Sequence, residues 1–580
     1  MGLFEEILTS RGLTGHKRDA FLNPQYGNHD AKHDPFLLPD MDKAVKRLLE
    51  AHKTQEKITI YGDYDIDGLT ATTVLLDALE KFGFLYVDAF IPNRFVEGYG
   101  LTVDAVERIA ATGAQLIVTV DCGSLSEKEI VRANELGVDV IVTDHHNVAV
   151  KQPPAVAVIN PKRLLADHPD EYENFMLKPD STKLGKLYPF LDLAGVGVAF
   201  KLVQALQTKL DGLSEGQEKW LLDLVALGTV CDVVTLVDEN RVNVYWGLKV
   251  LAQAKRTGLQ ALMTVAGVEP TKVNARSLGF ALGPRMNASG RLETAQHALD
   301  MLTTTDETIA LEKAQQLDVL NTSRRSQQDI IVKEAIIQAE QYRNDNVLVL
   351  SSPGWNHGIV GIVASKMLEK YKKPTYILEE MGDEAKGSAR SYGDFSAADA
   401  IRVADDIITK GGGHKLAAGI TLPTANISAF RTRVNEFYQS QKLFDQAKLL
   451  LPQGDMTVTQ LGMMSEDLIS QLAQLEPFGN GNPEPVLYSE NLLVVGKRRM
   501  GAESQHIKLE LQDSSGKIMQ FLAFSAPEHF FVEPGERVTV WFQPILNEWQ
   551  GRRTVEGRLL HLENINSTYA EPRTHPSTPD

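Results

Sequence analysis

The sequence predicts an α/β protein in which a parallel-sheet domain is joined by a long helix to a second α/β domain, with a small β-barrel after it. Three observations lead there. Residues 58–160 alternate short, nearly continuous apolar segments with helical ones, the pattern of a parallel sheet covered on both faces. From Glu307 to about Tyr342 the chain has few helix breakers and follows Thr305-Asp306, a helix start. From about residue 455 onward, short alternating segments are separated by glycine and charged turns, as in an antiparallel barrel.

Taken in order, an N-terminal segment (1–55) precedes the first strand, and the first α/β domain spans 56–300. Its strand candidates are Ile58–Gly62 (ITIYG), Leu85–Ile91, Leu116–Val120 (LIVTV) and Val138–Thr143 (VDVIVT). Helical stretches run from Leu69 to about Leu79 and near 102–112 and 126–137. Residues 196–300 read as mostly helical, interrupted by a loop-like LGTVCDVVTL and by GPRMNASGR. The connecting helix occupies 301–344, and 345–445 form the second α/β domain, with VLVLS, a helix from Ile359, a strand near Thr375–Leu378, KGSAR, an apolar helix and GGGHKLAAG. The barrel (455–565) draws on NLLVVGKR, HIKLELQD, IMQFLAF, RVTVWFQPIL and TVEGRLLHLENI. The polar, proline-rich 566–580 is expected to be a disordered tail.

Composition narrows the function classes. The 580 residues suit about three or four domains at roughly 100–200 residues each. No stretch approaches the ~18 apolar residues of a membrane helix. The start MGLFEEILTS is acidic where a signal peptide is basic, and Glu6 breaks the myristoylation pattern. Two cysteines argue against a disulfide framework, and the expected location is the cytoplasm. The net charge of -17 is opposite to the usual basic footprint of a nucleic-acid binder. Binding depends on local surface, however, so total charge neither supports nor excludes such a partner.

The strongest signal is where the acids fall. Asp63, Asp65 and Asp67 follow the first strand, Asp121 follows LIVTV, and Asp144-His145-His146 follows VDVIVT. In a parallel sheet, ligands gather beyond the carboxyl ends of the strands. Asp232, inside the apolar ALGTVCDVV, is placed to close the cluster. Any one of these acids alone reads as a turn former or helix cap. Together they would repel one another strongly unless a cation neutralised them. Oxygen-rich ligation with one or two imidazoles suits Mn²⁺ or Mg²⁺ better than zinc, and there are enough carboxylates for two ions. Cys122 and Cys231 lack partner thiols and read as small core residues.

DYDIDG, VDCGS, TDHHN and ALGTVCDVV stand in the order of the four motifs of the DHH phosphoesterase superfamily, which the chain resembles. The resemblance implies metal ligation by Asp65, Asp67, Asp121, His145 and Asp232, with Asp121 bridging two ions. It also implies that Asp63 and Asp144 support or orient ligands and that His146 faces the scissile phosphate. Pyrophosphate-hydrolysing relatives carry histidine where Tyr61 stands here, which argues against that branch.

Gly411–Gly419 (GGGHKLAAG), GWNHGIVGIVAS and KGSARS resemble the associated DHHA1 domain. PNRFVEGYGL and GPRMNASGRL resemble segments of the RecJ branch, the second of which holds a DNA backbone there through positions matching Arg285, Asn287, Ser289 and Arg291. For Arg285 and Arg291 taken singly, surface salt bridging is the plainer reading. By the same resemblance Arg94, Ser388, Arg390 and His414 are candidates for gripping a 5′-terminal phosphate, and Gly412 and Gly413 are substrate-binding candidates that let the backbone approach a phosphate. The barrel resembles an oligonucleotide-binding fold, with Lys497, Arg498 and Arg499 its densest basic group and Phe521, Phe524, Trp541 and Phe542 as candidate stacking faces.

The resemblance implies a 5′→3′ exonuclease on single-stranded DNA that releases 5′-mononucleotides in DNA repair and recombination. Single-strand-binding protein and a helicase are candidate partners, the protein is expected to be a monomer, and no membrane is involved. Two rivals stay open: a nanoRNase or cyclic-dinucleotide phosphodiesterase of the same architecture, and an inactive scaffold.

Overall fold

The computed structural model describes residues 2–27, 32–98, 100–177, 187–443, 447–502, 504–549 and 551–565. The tail expected at 566–580 lies outside the described residues.

Near-continuous apolar runs are buried on both faces, and that burial builds the first sheet. Strands β1 (Ile58–Gly62) and β3 (Leu116–Val120) are buried at every residue. With β2 (Val87–Phe90), β4 (Asp139–Thr143) and β5 (Ala157–Ile159) they form a parallel sheet in the order β2-β1-β3-β4-β5. The order reverses between β1 and β3, which opens a crevice at their carboxyl ends. β2 is shorter than the apolar run Leu85–Ile91 because Leu85 and Tyr86 are exposed. β5 is an addition, since three residues are too few to carry a sequence pattern.

Two segments expected to interrupt the helices are themselves helical. The helix Leu222–Cys231 runs through ALGTVC and stops at Asp232, and eight of its ten residues are buried. A helix buried all round shows no periodicity. Its Gly228 reflects close packing, because a Cβ there would lie 2.4 Å from Thr70 Oγ1. GPRMNASGRL forms the helix Gly283–Leu292, with Pro284 in the first turn, where its missing N–H is not needed.

The helix Glu307–Gln341 is capped by Asp306, whose carboxylate accepts from the Thr308 and Ile309 N–H groups. Its buried residues, from Ala310 through Leu317, Arg324 and Ile331 to Ala339, recur every three or four positions. That stripe packs on the first domain and then on the helix Val360–Tyr371 of the second. The second sheet comprises β6 (Leu348–Pro353), β7 (Thr375–Met381), β8 (Glu384–Arg390), β9 (Lys410–Gly413) and β10 (Ala417–Pro423), in the order β6-β7-β8-β10-β9. Only β6 and β7 pair in parallel.

These elements make one compact unit, Gln25–Ala447 with Gly479–Asn482; the other comprises Met1–Pro24, Lys448–Phe478 and Pro483–Asp580. In the second unit β11 (Met456–Thr457), β12 (Leu487–Met500), β13 (His506–Gln512), β14 (Ile518–Ala523), β15 (Arg537–Trp549) and β16 (Arg552–Asn564) form a sheet that closes where β12 also pairs with β15. Phe521 and Phe542, read as stacking candidates, are fully buried in this core; Phe524 is exposed. The N-terminal segment is divided between the units. The helix Leu3–Ser10 places Leu3, Phe4, Ile7 and Leu8 in the barrel core, and Arg11 pairs with Asp455 at 2.8 Å. Among the described residues no helix is long and apolar enough to cross a membrane.

Candidate metal centre and phosphate groove

The acids converge because the strands that carry them end side by side. Asp63, Asp65 and Asp121 each bring a carboxylate oxygen within 4.8 Å of the others, and carboxylate oxygens of Asp67 and Asp232 meet a ring nitrogen of His145 at the same spacing. A third such group, Asp121, His145 and His146, links the two. His145 Nε2 lies 3.1 Å from Asp121 Oδ1, 3.6 Å from Asp232 Oδ2 and 3.7 Å from Asp67 Oδ2. Asp121 takes a left-handed backbone conformation (φ 61°), uncommon outside glycine and typical of functional sites. The adjoining Gly195 leaves room for it, since a Cβ there would lie 2.7 Å from the Asp121 Cβ.

The helix Gly195–Gln207 aims its N-terminus at Asp67. Its first N–H groups, Gly195 and Val196, donate to the two carboxylate oxygens at 2.6 and 2.8 Å. Asp65 caps the helix Ile66–Lys81 by accepting from the Gly68 N–H at 3.1 Å. Asp144 is fully engaged: Oδ1 accepts from the His145 and His146 N–H groups and lies 2.9 Å from His146 Nδ1, while Oδ2 accepts from the Ser124 N–H. It therefore orients its neighbours. Asp63 has Oδ1 buried and, among the described residues, without a hydrogen bond.

The electrostatics call for a cation. Burial and Asp65 push Asp67 up to about 7, and burial, Asp67 and Asp65 push Asp232 up to about 9. Burial and the surrounding acids raise Asp121, and burial and Asp65 raise Asp63. Burial draws His145 down to about 3, which keeps the imidazole neutral, as ligation requires. Asp63 Oδ1, Asp121 Oδ1 and His145 Nε2 are all buried without hydrogen-bond partners among the described residues. This oxygen-rich donor set with neutral imidazole fits hard divalent cations.

Beside the acids runs a groove of roughly 510 Å³ between the first domain and the second sheet. Tyr64, Arg94, Lys386, Ser388, Lys410 and Gly412 help to line it, and among the described residues no carboxylate does. Lys386, Ser388 and Arg390 share one face of β8, opposite the face that buries Ala385 and Ala389. The Arg94 guanidinium lies over the Tyr64 ring at 5.1 Å. Burial, Arg94 and Arg324 draw Arg291 down to about 10, and burial and Arg94 lower Arg390, so these cations lie close enough to repel one another.

Other sequence candidates are engaged within the protein. Arg285 is paired with Asp318 at 2.9 Å, and Ser289 is buried, donating to the Met286 carbonyl. Asn287 accepts from the Ile66 N–H, and Arg291 donates to the Gly358 carbonyl. Gly413 pairs with Ala418, and His414 is exposed at the β9–β10 turn. On the barrel, Lys497 pairs with Glu533, Arg499 lies over Phe531, and Arg498 is exposed. The sequence reading missed Tyr64, Lys386, Lys410 and His357 as groove residues. Strand alternation in KGSAR already places Lys386 on the face of Ser388; nothing local marks the others.

Comparison with known proteins agrees with this architecture. The DHH family N-terminal domain matches residues 57–229, the DHHA1 domain 344–440 and the RecJ OB domain 455–561. The single-stranded-DNA-specific exonuclease RecJ of Bacillus subtilis is 36% identical over 95% of this chain, which spans 66% of that protein. The RecJ of Escherichia coli is 33% identical, with 91% of this chain and 90% of that one covered. The crystal structure of Thermus thermophilus RecJ in complex with Mn²⁺ superposes with a TM-score of 0.78 at 28% identity, covering 98% of this chain and 76% of that one. Fold and site thus define a DHH-type phosphoesterase with a DHHA1 domain and an oligonucleotide-binding barrel. The chain belongs to the RecJ family.

Proposed function

We propose that this chain is a single-stranded-DNA-specific 5′→3′ exonuclease that hydrolyses phosphodiester bonds and releases 5′-mononucleotides. The observation that carries the reading is adjacency: Tyr64, between Asp63 and Asp65 of the acidic centre, also lines the cationic groove. A phosphate chain held by one is thereby presented to the other. Asp63, Asp65 and Asp121 would hold one ion and Asp67, His145 and Asp232 a second, with Asp121 shared. Bound Mn²⁺ or Mg²⁺ would supply an activated water and stabilise charge on the phosphoryl oxygens. Asp144 holds His146 beside this centre, where its imidazole is set to meet the scissile phosphate. Arg94, Ser388 and Arg390 are positioned to take the 5′-terminal phosphate, as the family resemblance implies. Mn²⁺ bound to the Thermus thermophilus relative supports the choice of ion. A cytoplasmic location rests on the scarcity of cysteine in the sequence, and a monomeric state and single-strand-binding protein and a helicase as partners rest on the resemblance.

The test is cleavage of 5′- and 3′-labelled single and double strands, and of a dinucleotide, with Mn²⁺ or Mg²⁺. Release of labelled mononucleotide first from the 5′ end of the single strand is expected. Preference for the dinucleotide would overturn the reading.

A further inference from the structure

We propose that His357, held by Glu379, is a specificity-determining residue that reads the terminal phosphate monoester of the substrate strand. The inference rests on the exonuclease reading above. One carboxylate oxygen, Glu379 Oε2, lies 2.8 Å from the His357 N–H and 2.7 Å from its Nδ1. Backbone and ring are therefore fixed by the same acid, and the tautomer follows: Nδ1 carries the proton that faces Glu379. Phe95, next in sequence to Arg94, packs edge-on against the imidazole with ring centroids 5.2 Å apart. The following residue, Gly358, accepts from Arg291. His357 thus sits at the junction where the second domain meets the Arg94 segment and the arginine cluster.

This ring lines the groove with Arg94, Lys386, Ser388 and Lys410. Among the described residues no hydrogen bond engages its Nε2. With Nδ1–H committed to Glu379, Nε2 is the ring atom left to meet a further anion. The facing charges are the cations Arg94, Lys386 and Lys410 on one side and Glu379 on the other. A monoester dianion supplies that anion; a terminal hydroxyl does not. His357 then donates from Nε2 in a charge-assisted hydrogen bond available only to a phosphorylated end.

The experiment uses the full chain with Mn²⁺ and one single-stranded sequence carrying either a 5′-phosphate or a 5′-hydroxyl. The readout is the ratio of kcat/KM between the two. The wild type is expected to favour the phosphate. His357→Ala should lower that ratio by roughly ten- to hundredfold, the worth of one charge-assisted hydrogen bond. His357→Gln, whose amide also donates, should retain more of the ratio, and Glu379→Gln should fall between wild type and alanine. A ratio unchanged in His357→Ala, or a wild type that cuts both ends equally, overturns the proposal while leaving the nuclease reading intact. A wild type that cuts neither strand overturns both.

Discussion

His145 Nε2 and Asp121 Oδ1 face each other at 3.1 Å, both buried and neither in a hydrogen bond. That separation is short enough for both atoms to hold one hard divalent cation. Two lone-pair donors held so near, in a strained backbone, make sense as shared ligands. Asp121→Ala should therefore abolish metal-dependent cleavage, by about a thousandfold or more, since several kcal/mol of charge stabilisation are lost. Calorimetric Mn²⁺ titration should show fewer than two bound ions. Cleavage at the wild-type rate would sink the shared-ligand assignment.

Without metal, the same cluster should make stability fall with pH. Asp67 and Asp232 have an ordinary value of 3.8 and are pushed to about 7 and about 9. A carboxyl raised in the folded state contributes stability fully below its unfolded value and loses it as pH rises through the folded one. The window thus opens near 4 and closes near 9. The melting temperature of chelated protein should drop across this window, and added Mn²⁺ should raise it most at the alkaline end, where ligands need not release protons. A chelated protein more stable at about pH 9 than at about pH 5 would contradict the raised carboxyls.

Asp144 tests orientation apart from ligation. Its carboxylate accepts from three N–H groups and pairs with His146, which raises His146 against the pull of burial and lowers Asp144 itself. Asp144→Asn keeps the shape but loses the charge. We expect kcat to fall by about ten- to a hundredfold, as when a ligand's outer partner is lost, with two ions still bound. Loss of an ion in this variant would instead make Asp144 a ligand.

Much of the centre was legible because sheet topology converts local sequence into position. An acid just after a buried strand must stand at the crevice, so DYDIDG, VDCGS and TDHH were informative without knowledge of distant contacts. What long separations decide was not legible. Asp67 is captured by Gly195 and Val196, more than a hundred residues away, and Arg285 is neutralised by Asp318 on another helix. His357 gains its meaning from Glu379 and Phe95, which no spacing connects to it. The helix Leu222–Cys231 was hidden because complete burial erases the amphipathic period.

The N-terminal helix is the contact least expected from sequence. Phe4 and Ile7 are buried with Leu461, Leu468 and Phe530 in the barrel core, and Arg11 meets Asp455 through both Nε and Nη2. Residues 444 positions apart thus belong to one folding unit. Phe4→Ala removes a large side chain only 6% exposed, a change that costs about 3–5 kcal/mol in a well-packed core. The loss should fall on the barrel unit, leaving Mn²⁺ binding by the other unit as in the wild type. Denaturant unfolding followed by hydrogen exchange at the amides of the barrel strands β12 to β16, with metal titration alongside, separates the two. An unfolding midpoint unchanged in Phe4→Ala would show that the helix is peripheral to the barrel's stability.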